Sequence, residues 1–266
     1  MKYGFIGTGN MGGALATAVC KAVDPSLVSL TNRTASKAEA LAASLGCSAT
    51  STLEIASKAE FIFLGVKPQM MKDLCDEIKP ILAARNDSFV LVSMAAGLSI
   101  DTIKEMTIPD APVIKISPNT PVAIGEGIVL VAYSAEVSDS QKADFMQSLS
   151  ACGLVSELPE KLHAIGGSLS GCGPAFVDIF IEALCDGAVA CGLPRAQALA
   201  IAAQMVVGTG KLMLNSGSHP GVLKDAVCSP GGTTIQGVRA LEEHGFRGAA
   251  MDAVIAAYEK NLQLTK

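Results

Sequence analysis

Short apolar runs alternate with longer amphipathic stretches through the first 158 residues of the chain. The runs predict buried strands and the stretches predict helices, an alternation typical of a sheet that is covered on both faces. The helix predicted at residues 70–82 shows the pattern well, because its large apolar side chains fall on one face. The predicted strands are residues 2–6, 28–31, 61–66, 89–93, 113–116, 128–132 and 155–157. Together these elements predict an open α/β sheet of about eight strands.

The pattern changes after about residue 161, where the strand signal disappears and long apolar stretches follow. A Gly- and Ser-rich segment, residues 166–173, is interpreted as a joint, with Pro174 in the first turn of a long helix. The predicted helices are residues 174–191, 194–215, 220–227, 233–244 and 246–264. The two longest are apolar nearly all round, which predicts burial on several sides.

A glycine-rich turn follows the first predicted strand and opens the first predicted helix. It fits the pattern G-x-G-x-x-G and stands at the start of a βαβ unit, the context that supports a dinucleotide site. The first glycine makes the turn, the second lets a pyrophosphate approach, and the third permits close packing of helix on strand. The residues assigned to the cofactor here are Gly7, Thr8, Gly9, Asn10, Met11 and Gly12.

The predicted fold class is therefore α/β. We expect an N-terminal Rossmann-type doubly wound sheet in residues 1–158, which binds a dinucleotide cofactor. Residues 159–266 are expected to form an all-helical domain for substrate binding and dimerisation.

The end of the second predicted strand indicates which dinucleotide binds. NAD enzymes usually carry an acidic residue there for the ribose 2′-hydroxyl, whereas this chain has Asn32, Arg33 and Thr34. Arg33 can make a forked contact to a 2′-phosphate, with Asn32 and Thr34 as neutral donors. The sequence therefore predicts a preference for NADP(H) over NAD(H). The alternative is that Arg33 and Lys37 are merely solvated.

The ends of the next two strands are also assigned to the cofactor cleft, because ligands bind at the carboxyl edge of such sheets. The assigned residues are Val66, Lys67, Pro68, Met94, Ala95 and Ala96. A plain surface lysine is the alternative for Lys67. Asn119 lies between two prolines, and its amide is open to a cofactor, a substrate or its own turn.

A second candidate anion site lies near the end of the chain. Ser229 and Pro230 precede Gly231 and Gly232, and two threonines, Thr233 and Thr234, then begin a helical pattern. Glycines let backbone N–H groups approach a ligand, and a helix N-terminus favours negative charge. The alternative is an ordinary turn with a threonine N-cap.

Composition limits the possible partners. The chain of 266 residues is 50% hydrophobic and only 17% charged, so we expect a homo-oligomer. A net charge of −5 with three scattered His gives no basic surface for nucleic acid. No run approaches about 18 apolar residues, so no membrane span is expected. The eight Cys lack zinc-site spacing, which predicts no metal site and reduced thiols in the cytoplasm.

Over essentially its whole length, the chain resembles the pyrroline-5-carboxylate reductase family. The most specific match is residues 220–225 continuing through 229–234, and five further segments match in order and spacing: residues 7–13, 66–68, 95–97, 118–121 and 169–171. Two positions depart from the family pattern. Ser117 stands where members usually have Met, and Cys172 stands where they usually have Ser.

The resemblance implies NADPH-dependent reduction of the cyclic imine 1-pyrroline-5-carboxylate to L-proline, the last step of proline biosynthesis. The substrate carboxylate is expected at Ser229, Gly231, Gly232, Thr233 and Thr234. Thr234 is the candidate catalytic residue, which would hydrogen-bond the ring nitrogen and relay its proton. No catalytic His is needed, because an imine can be protonated in solution. A homodimer through the helical domain is expected, with a ring of dimers as a further option.

Three alternatives stay open at this stage. A paralogous imine reductase could act on piperideine-6-carboxylate, because the carboxylate site would serve either ring. Cys172 and Ser117 also leave room for a catalytically silent NADP-binding regulatory protein. A β-hydroxyacid dehydrogenase is disfavoured, because residues 174–191 contain no Lys.

Overall fold

The structure is a computed structural model that describes residues 1–264. The chain forms two compact units. Of the described residues, the sheet unit contains Met1–Gly171 and residues 258–264, and the helical unit is Cys172–Ala257.

Eight strands form one sheet in the sheet unit, in the order β3-β2-β1-β4-β5-β6-β7-β8. Their bounds are β1 Tyr3–Ile6, β2 Val28–Thr31, β3 Ser48–Ala49, β4 Phe61–Leu64, β5 Val90–Ser93, β6 Val113–Pro118, β7 Gly127–Tyr133 and β8 Gly153–Glu157. All neighbouring strands pair in parallel except β6 and β7, which are antiparallel. The direction of winding reverses between β1 and β4, which is where such sheets bind ligands.

Eleven α-helices are described. Their bounds are α1 Asn10–Ala22, α2 Ala35–Leu45, α3 Thr52–Lys58, α4 Met71–Ala83, α5 Ile100–Met106, α6 Asp139–Ser148, α7 His163–Ala190, α8 Arg195–Ser216, α9 Pro220–Ala226, α10 Thr233–Glu243 and α11 Phe246–Leu264. Short 3₁₀ turns occupy Pro25–Leu27, Pro68–Met70, Thr120–Ile124 and Glu160–Leu162.

The two faces of the sheet carry two separate hydrophobic cores. One face packs against α1, α2 and α6, and the other packs against α3, α4 and α5. Parallel strands are buried on both faces, which explains why their sequences are continuous apolar runs. Phe5 and Phe63 stack at the centre of the first core, with ring centroids 4.1 Å apart. This architecture confirms the predicted doubly wound α/β fold.

Three short elements were not predicted from the sequence: β3, α3 and α5. Strand β3 has only two residues, and both are exposed, so it has no apolar run. Helix α3 has seven residues, but its Ile55 and Ala56 are fully buried against the sheet. Elements this short depend on tertiary packing more than on local preference.

The predicted start of the long helix is wrong. Helix α7 begins at His163, so the Gly- and Ser-rich segment is helical and Pro174 lies inside the helix. The low helix propensity of glycine is outweighed here by packing. A Cβ on Gly166 would lie only 2.7 Å from Leu130 Cδ1 and 2.8 Å from Leu158 Cδ2. Small residues therefore let α7 approach the sheet closely.

Asn119 explains how the helix tolerates Pro174. Proline has no N–H, so in a helix it leaves the carbonyl four residues earlier, that of Ser170, without its usual donor. Asn119 Nδ2 donates to that Ser170 carbonyl at 3.0 Å, while Asn119 Oδ1 accepts from Ile128 N at 2.8 Å. One buried amide thus replaces the missing helical bond and fixes the start of β7.

The helical unit has a small core of its own. Cys185, Ala198 and Ala202 are buried, and Phe180 contacts Phe246 with ring centroids 5.6 Å apart. Many large apolar side chains in this unit are exposed, including Ile179, at 65%, and Leu214, at 74%. The acidic stripe of α7, Asp178, Glu182 and Asp186, is also exposed.

The compact units divide inside α7, at residue 171. The domain border predicted at 158/159 follows the last strand, which ends at Glu157, and it stays a prediction.

The expectation that no stretch is long and apolar enough for a membrane needs correction. By length and composition alone, two described helical stretches qualify: Glu160–Ala190 with mean hydropathy 1.4, and Arg195–Ser216 with 1.3. Glycine, serine and alanine interrupt the large apolar residues in both, which is why no continuous run is visible in the sequence.

Replacing Asn119 by alanine should lower the free energy of unfolding by about 2–4 kcal/mol, because the buried Ser170 carbonyl and the partly buried Ile128 N–H lose their partner. In a Pro174→Ala background the helix regains an N–H for the Ser170 carbonyl, so the same replacement should cost about 1 kcal/mol less. Chemical denaturation at equal protein concentration measures both values.

Asn261 provides the matched control. Asn261 lies in α11, and its Nδ2 donates to the Ala164 carbonyl of α7 at 3.0 Å. Pro174 removes the helical donor of the Ser170 carbonyl but not that of the Ala164 carbonyl. Asn261→Ala should therefore cost the same with and without Pro174→Ala. Equal costs for Asn119→Ala in the two backgrounds would contradict the proposed role of Asn119.

Candidate functional site

A cleft of about 880 Å³ lies in the sheet unit, at the carboxyl ends of β1, β2 and β4. Nine of the residues assigned to the cofactor line it: Gly7, Thr8, Gly9, Asn10, Asn32, Arg33, Thr34, Val66 and Lys67. The structure thus brings together three of the four sequence segments that were assigned to the cofactor.

Three glycine backbones meet at the floor of the cleft. Gly7 has a φ of +99°, which favours glycine, and a Cβ there would lie 2.7 Å from Gly65 O. A Cβ on Gly12 would lie 2.1 Å from Gly7 O, and one on Gly65 would lie 2.3 Å from the same oxygen. No side chain can replace hydrogen at these positions without moving backbone. Helix α1 and β4 can therefore both pack directly on the turn after β1.

The start of α1 presents backbone donors to the cleft. Its N-cap residue, Gly9, makes no side-chain cap hydrogen bond, so the first N–H groups of the helix have no side-chain partner from it. A Cβ on Gly9 would have no atom within 4 Å, so the space over this residue is open. Gly12 is needed for packing, whereas Gly9 leaves room for a ligand. Free N–H groups and the helix dipole together favour a pyrophosphate.

The end of β2 forms a cationic wall. Arg33 and Lys37 both line the cleft. Asn32 is held between neighbours, because its Nδ2 donates to Thr8 Oγ1 at 3.2 Å and its Oδ1 accepts from Thr34 N at 3.4 Å. No carboxylate follows β2 directly, so the charge around Arg33 suits a phosphate.

Six assigned residues do not line this cleft: Met11, Gly12, Pro68, Met94, Ala95 and Ala96. Gly12 is buried beneath the turn, and Pro68 begins a 3₁₀ turn beside Lys67. The Ala95 side chain is buried in the second core, which leaves only its backbone to face a ligand. Their roles toward a cofactor stay predictions.

Several lining residues were not assigned from the sequence. Gly65 is the clearest case, and its signal was a glycine at the end of an apolar strand. Thr52 lines the cleft from α3, a helix that was not predicted. Asp73 and Glu77 line it from α4 and give it an acidic side as well.

The second candidate site lies in the helical unit, between α9 and α10. Gly231 has a φ of +70°, and α10 begins directly after Gly232. Thr233 and Thr234 are the first two helical residues, and both are exposed. The N–H groups of the first helical residues have no partner within the helix, which makes them candidate donors to an anion.

Two details of this site differ from the sequence interpretation. The Gly232 N–H donates to Ser229 O at 3.0 Å, so this N–H is already used in the turn. Gly232 is the N-cap residue and no side-chain cap bond is present, so the alternative of a threonine N-cap is wrong. The donors at this site are therefore those of Thr233 and Thr234.

The three histidines have local partners. His163 is buried beside Ser117, His219 Nδ1 accepts from Gly221 N at 3.1 Å, and His244 Nδ1 lies 2.8 Å from Ala240 O. Among the described residues, no three or more His, Cys, Asp or Glu side chains are grouped to hold a metal ion.

Comparison with known proteins identifies the family. The chain is 40% identical to the pyrroline-5-carboxylate reductase of Escherichia coli, over 100% of this chain and 98% of that protein. The chain belongs to the pyrroline-5-carboxylate reductase family. A pyrroline-5-carboxylate reductase from Arabidopsis thaliana is 36% identical, over 100% of this chain and 96% of that protein. As a member of this family, the chain is an oxidoreductase.

Two family models match separate parts of this reductase. One, described as pyrroline-5-carboxylate reductase dimerisation, matches residues 160–264. The other, described as NADP oxidoreductase coenzyme F420-dependent, matches residues 2–97, which contain the whole cleft. The first includes α7 and α8, the two long apolar helices.

Solved structures agree with the assignment. A Plasmodium falciparum pyrroline carboxylate reductase with NADP bound has a TM-score of 0.86 at 30% identity, covering 100% of this chain and 98% of that one. A pyrroline-5-carboxylate reductase from Coxiella burnetii has a TM-score of 0.91 at 29% identity, with the same coverage. The family and the glycine-rich cleft together support use of NAD(P)H by this reductase.

Proposed function

We propose that this reductase catalyses the NADPH-dependent reduction of 1-pyrroline-5-carboxylate to L-proline, the final step of proline biosynthesis. The observation that carries the proposal is the full-length similarity to pyrroline-5-carboxylate reductases. The chain also contains a dinucleotide cleft and a separate helix N-terminus that suits a carboxylate.

The cofactor would lie along the cleft of the sheet unit. The N–H groups at the start of α1 would hold the pyrophosphate, and Arg33 with Lys37 would hold the 2′-phosphate of NADP. This cationic pair favours NADP(H) over NAD(H), because NAD(H) has no phosphate there. When bound, NADPH supplies the hydride for the reaction.

The substrate carboxylate would bind at the start of α10. The N–H groups of Thr233 and Thr234 point from a helix N-terminus, with Ser229, Gly231 and Gly232 forming the turn beneath them. Gly232 and not Thr234 is the N-cap residue of α10, so the Thr234 hydroxyl would be available to contact the ring nitrogen and relay its proton. A strong general acid is not required, because a cyclic imine can be protonated before it binds.

We also propose a homodimer through the helical domain. The apolar side chains exposed on α7 and α8 support it, and the dimerisation model matches the same helices. Burying them against a second copy would explain their composition without a membrane. The border at 158/159 would separate this domain from the NADP-binding domain. The eight cysteines are all free thiols, which suits a cytoplasmic location.

Purified protein should oxidise NADPH, followed at 340 nm, when pyrroline-5-carboxylate is added, and L-proline should accumulate in equal amount. Piperideine-6-carboxylate is the comparison substrate. Faster turnover of the six-membered ring would identify a paralogous imine reductase. NADPH binding without turnover of either ring would identify a silent NADP-binding protein.

Arg33→Ala should reduce kcat/KM for NADPH about tenfold or more while leaving kcat/KM for NADH nearly unchanged, because only NADPH carries the 2′-phosphate. Steady-state kinetics with both cofactors measure the change in preference. Arg85→Lys is a suitable control, since Arg85 is bound to Ala56 O and Ala59 O away from the cleft. An unchanged NADPH/NADH ratio in Arg33→Ala would contradict the assignment.

Thr234→Val keeps the shape of the side chain but removes its hydroxyl. We expect kcat to fall at least tenfold with little change in melting temperature, because Gly232 and not Thr234 is the N-cap residue of α10. Thr233→Val is the matched control at the neighbouring helical position. Full activity of Thr234→Val would exclude a catalytic role for the hydroxyl.

A further inference from the structure

The hydroxyl of Ser117 is held at the carboxyl end of β6 by a buried histidine. Ser117 Oγ lies 3.2 Å from His163 Nδ1, and His163 Nε2 lies 3.2 Å from the carbonyl oxygen of Leu158. A carbonyl can only accept a hydrogen bond, so Nε2 carries the proton and Nδ1 of the neutral ring is an acceptor. Ser117 therefore donates its only proton to His163, and its oxygen can offer a ligand lone pairs alone.

The surroundings of His163 keep its ring neutral. His163 is 3% exposed, and burial lowers its pKa from the usual 6.5, with a smaller contribution in the same direction from Lys115 on β6. The carbonyls of Leu158 and Val131 and the carboxylate of Glu160 act in the opposite direction but do not reverse the shift. Near neutral pH, Ser117 is thus fixed as an acceptor.

Ser117 lies near the carboxyl end of β6, which follows β4 and β5 in the order of the sheet. With the adenosine phosphate at Arg33 beside β2, the nicotinamide half of a dinucleotide would extend past β4 toward β5 and β6. Gly167 of α7 faces Ser117, and a Cβ there would lie 3.8 Å from Ser117 Oγ. A Cβ at this distance would make an ordinary van der Waals contact, so α7 and β6 pack closely at Ser117.

A second hydroxyl on the same helix also indicates a ligand. Ser170 is 7% exposed, and its Oγ has no hydrogen-bond partner among the described residues. Positions 163, 167 and 170 share one face of α7 by helical spacing. Buried hydroxyls nearly always have partners. As an acceptor, Ser117 matches the NH₂ group of a primary amide, which donates hydrogen bonds.

We propose that Ser117 binds the nicotinamide carboxamide by accepting a hydrogen bond from its NH₂ group, with His163 as the positioning residue that fixes the hydroxyl in this orientation. The inference rests on the proposed function, and it assigns a residue that orients the reactive ring. Both NADP and NAD carry this carboxamide, so Ser117 acts on either cofactor, unlike Arg33.

The test compares NADP⁺ with its 3-acetylpyridine analogue, in which a methyl group replaces the carboxamide NH₂. Isothermal titration calorimetry on the full-length protein should show that the wild type binds NADP⁺ about three- to tenfold more tightly than the analogue. Ser117→Ala should bind the two alike, and Ser117→Thr, which keeps the hydroxyl, should restore the preference.

Ser134→Ala is the matched control, because Ser134 Oγ accepts from Val113 N at the other end of β6. It should keep the wild-type preference between the two ligands. Loss of the preference in this control would show that any weakening of β6 suffices, and would overturn the assignment to Ser117.

The role of His163 has its own readout, the pH dependence of the same preference. The pKa of His163 lies below 6.5. The tighter binding of NADP⁺ than of the analogue should therefore be full at pH 7.5 and disappear as the pH falls through the pKa of His163. The imidazolium cannot accept the Ser117 proton. The charged groups beside the ring are Lys115 and Glu160. The 2′-phosphate is common to both ligands, so its own titration cancels in the ratio.

Equal affinity of the wild type for NADP⁺ and the analogue would overturn the inference, and this comparison needs no variant to fold. A preference that persists in Ser117→Ala would overturn it as well. A preference independent of pH down to 5 would exclude His163 as the positioning residue. If the wild type bound neither ligand, the proposed function would fail, and the inference with it.

Discussion

The amide of Asn119 makes the longest helix of the protein possible. Pro174 lies within α7 and leaves the Ser170 carbonyl without a helical donor, and Asn119 Nδ2 supplies one. The same side chain receives the N–H of Ile128 at the start of β7. Helix α7 can therefore run unbroken from His163 to Ala190. Near Asn119 in sequence, Ser117 is held by a separate contact with His163 of the same helix.

The cofactor cleft depends on a different constraint, the contact of three glycine backbones. Gly7, Gly12 and Gly65 meet so closely that a Cβ at any of them would lie under 3 Å from backbone. This contact places the N-terminus of α1 at the carboxyl ends of β1 and β4. Gly9, one turn away from that contact, has open space above it. The same short segment thus combines a packing requirement with a ligand requirement.

Much of the sheet unit could be predicted from sequence, because parallel strands are buried on both faces and their apolar runs stand out. The positions of the G-x-G-x-x-G turn and of Arg33 in the cleft could also be predicted, since each follows a strand directly. The beginning of α7 was not, because glycine and serine at residues 166–173 indicate a loop locally. Their helical state depends on contacts with Leu130, Leu158 and Asn119, which lie far away in sequence.

The candidate sites divide in the same way. Local motifs predicted the glycine cradle and the threonines after Gly232, whereas the use of the Gly232 N–H by Ser229 O required the turn geometry. The hydrogen bond between Ser117 and His163 joins residues 46 positions apart in sequence, so no local sequence pattern predicts it. Gly65 is an intermediate case. The sequence shows a glycine at the end of an apolar strand, but it does not show that this glycine contacts Gly7.

A crystal structure of the protein with NADP⁺ and L-proline would test the proposed sites most directly. We expect the pyrophosphate on the N–H groups that follow Gly9, the 2′-phosphate on Arg33, and the proline carboxylate on the N–H groups of Thr233 and Thr234. Proline bound away from the start of α10, or a cofactor bound outside the cleft of the sheet unit, would contradict this expectation.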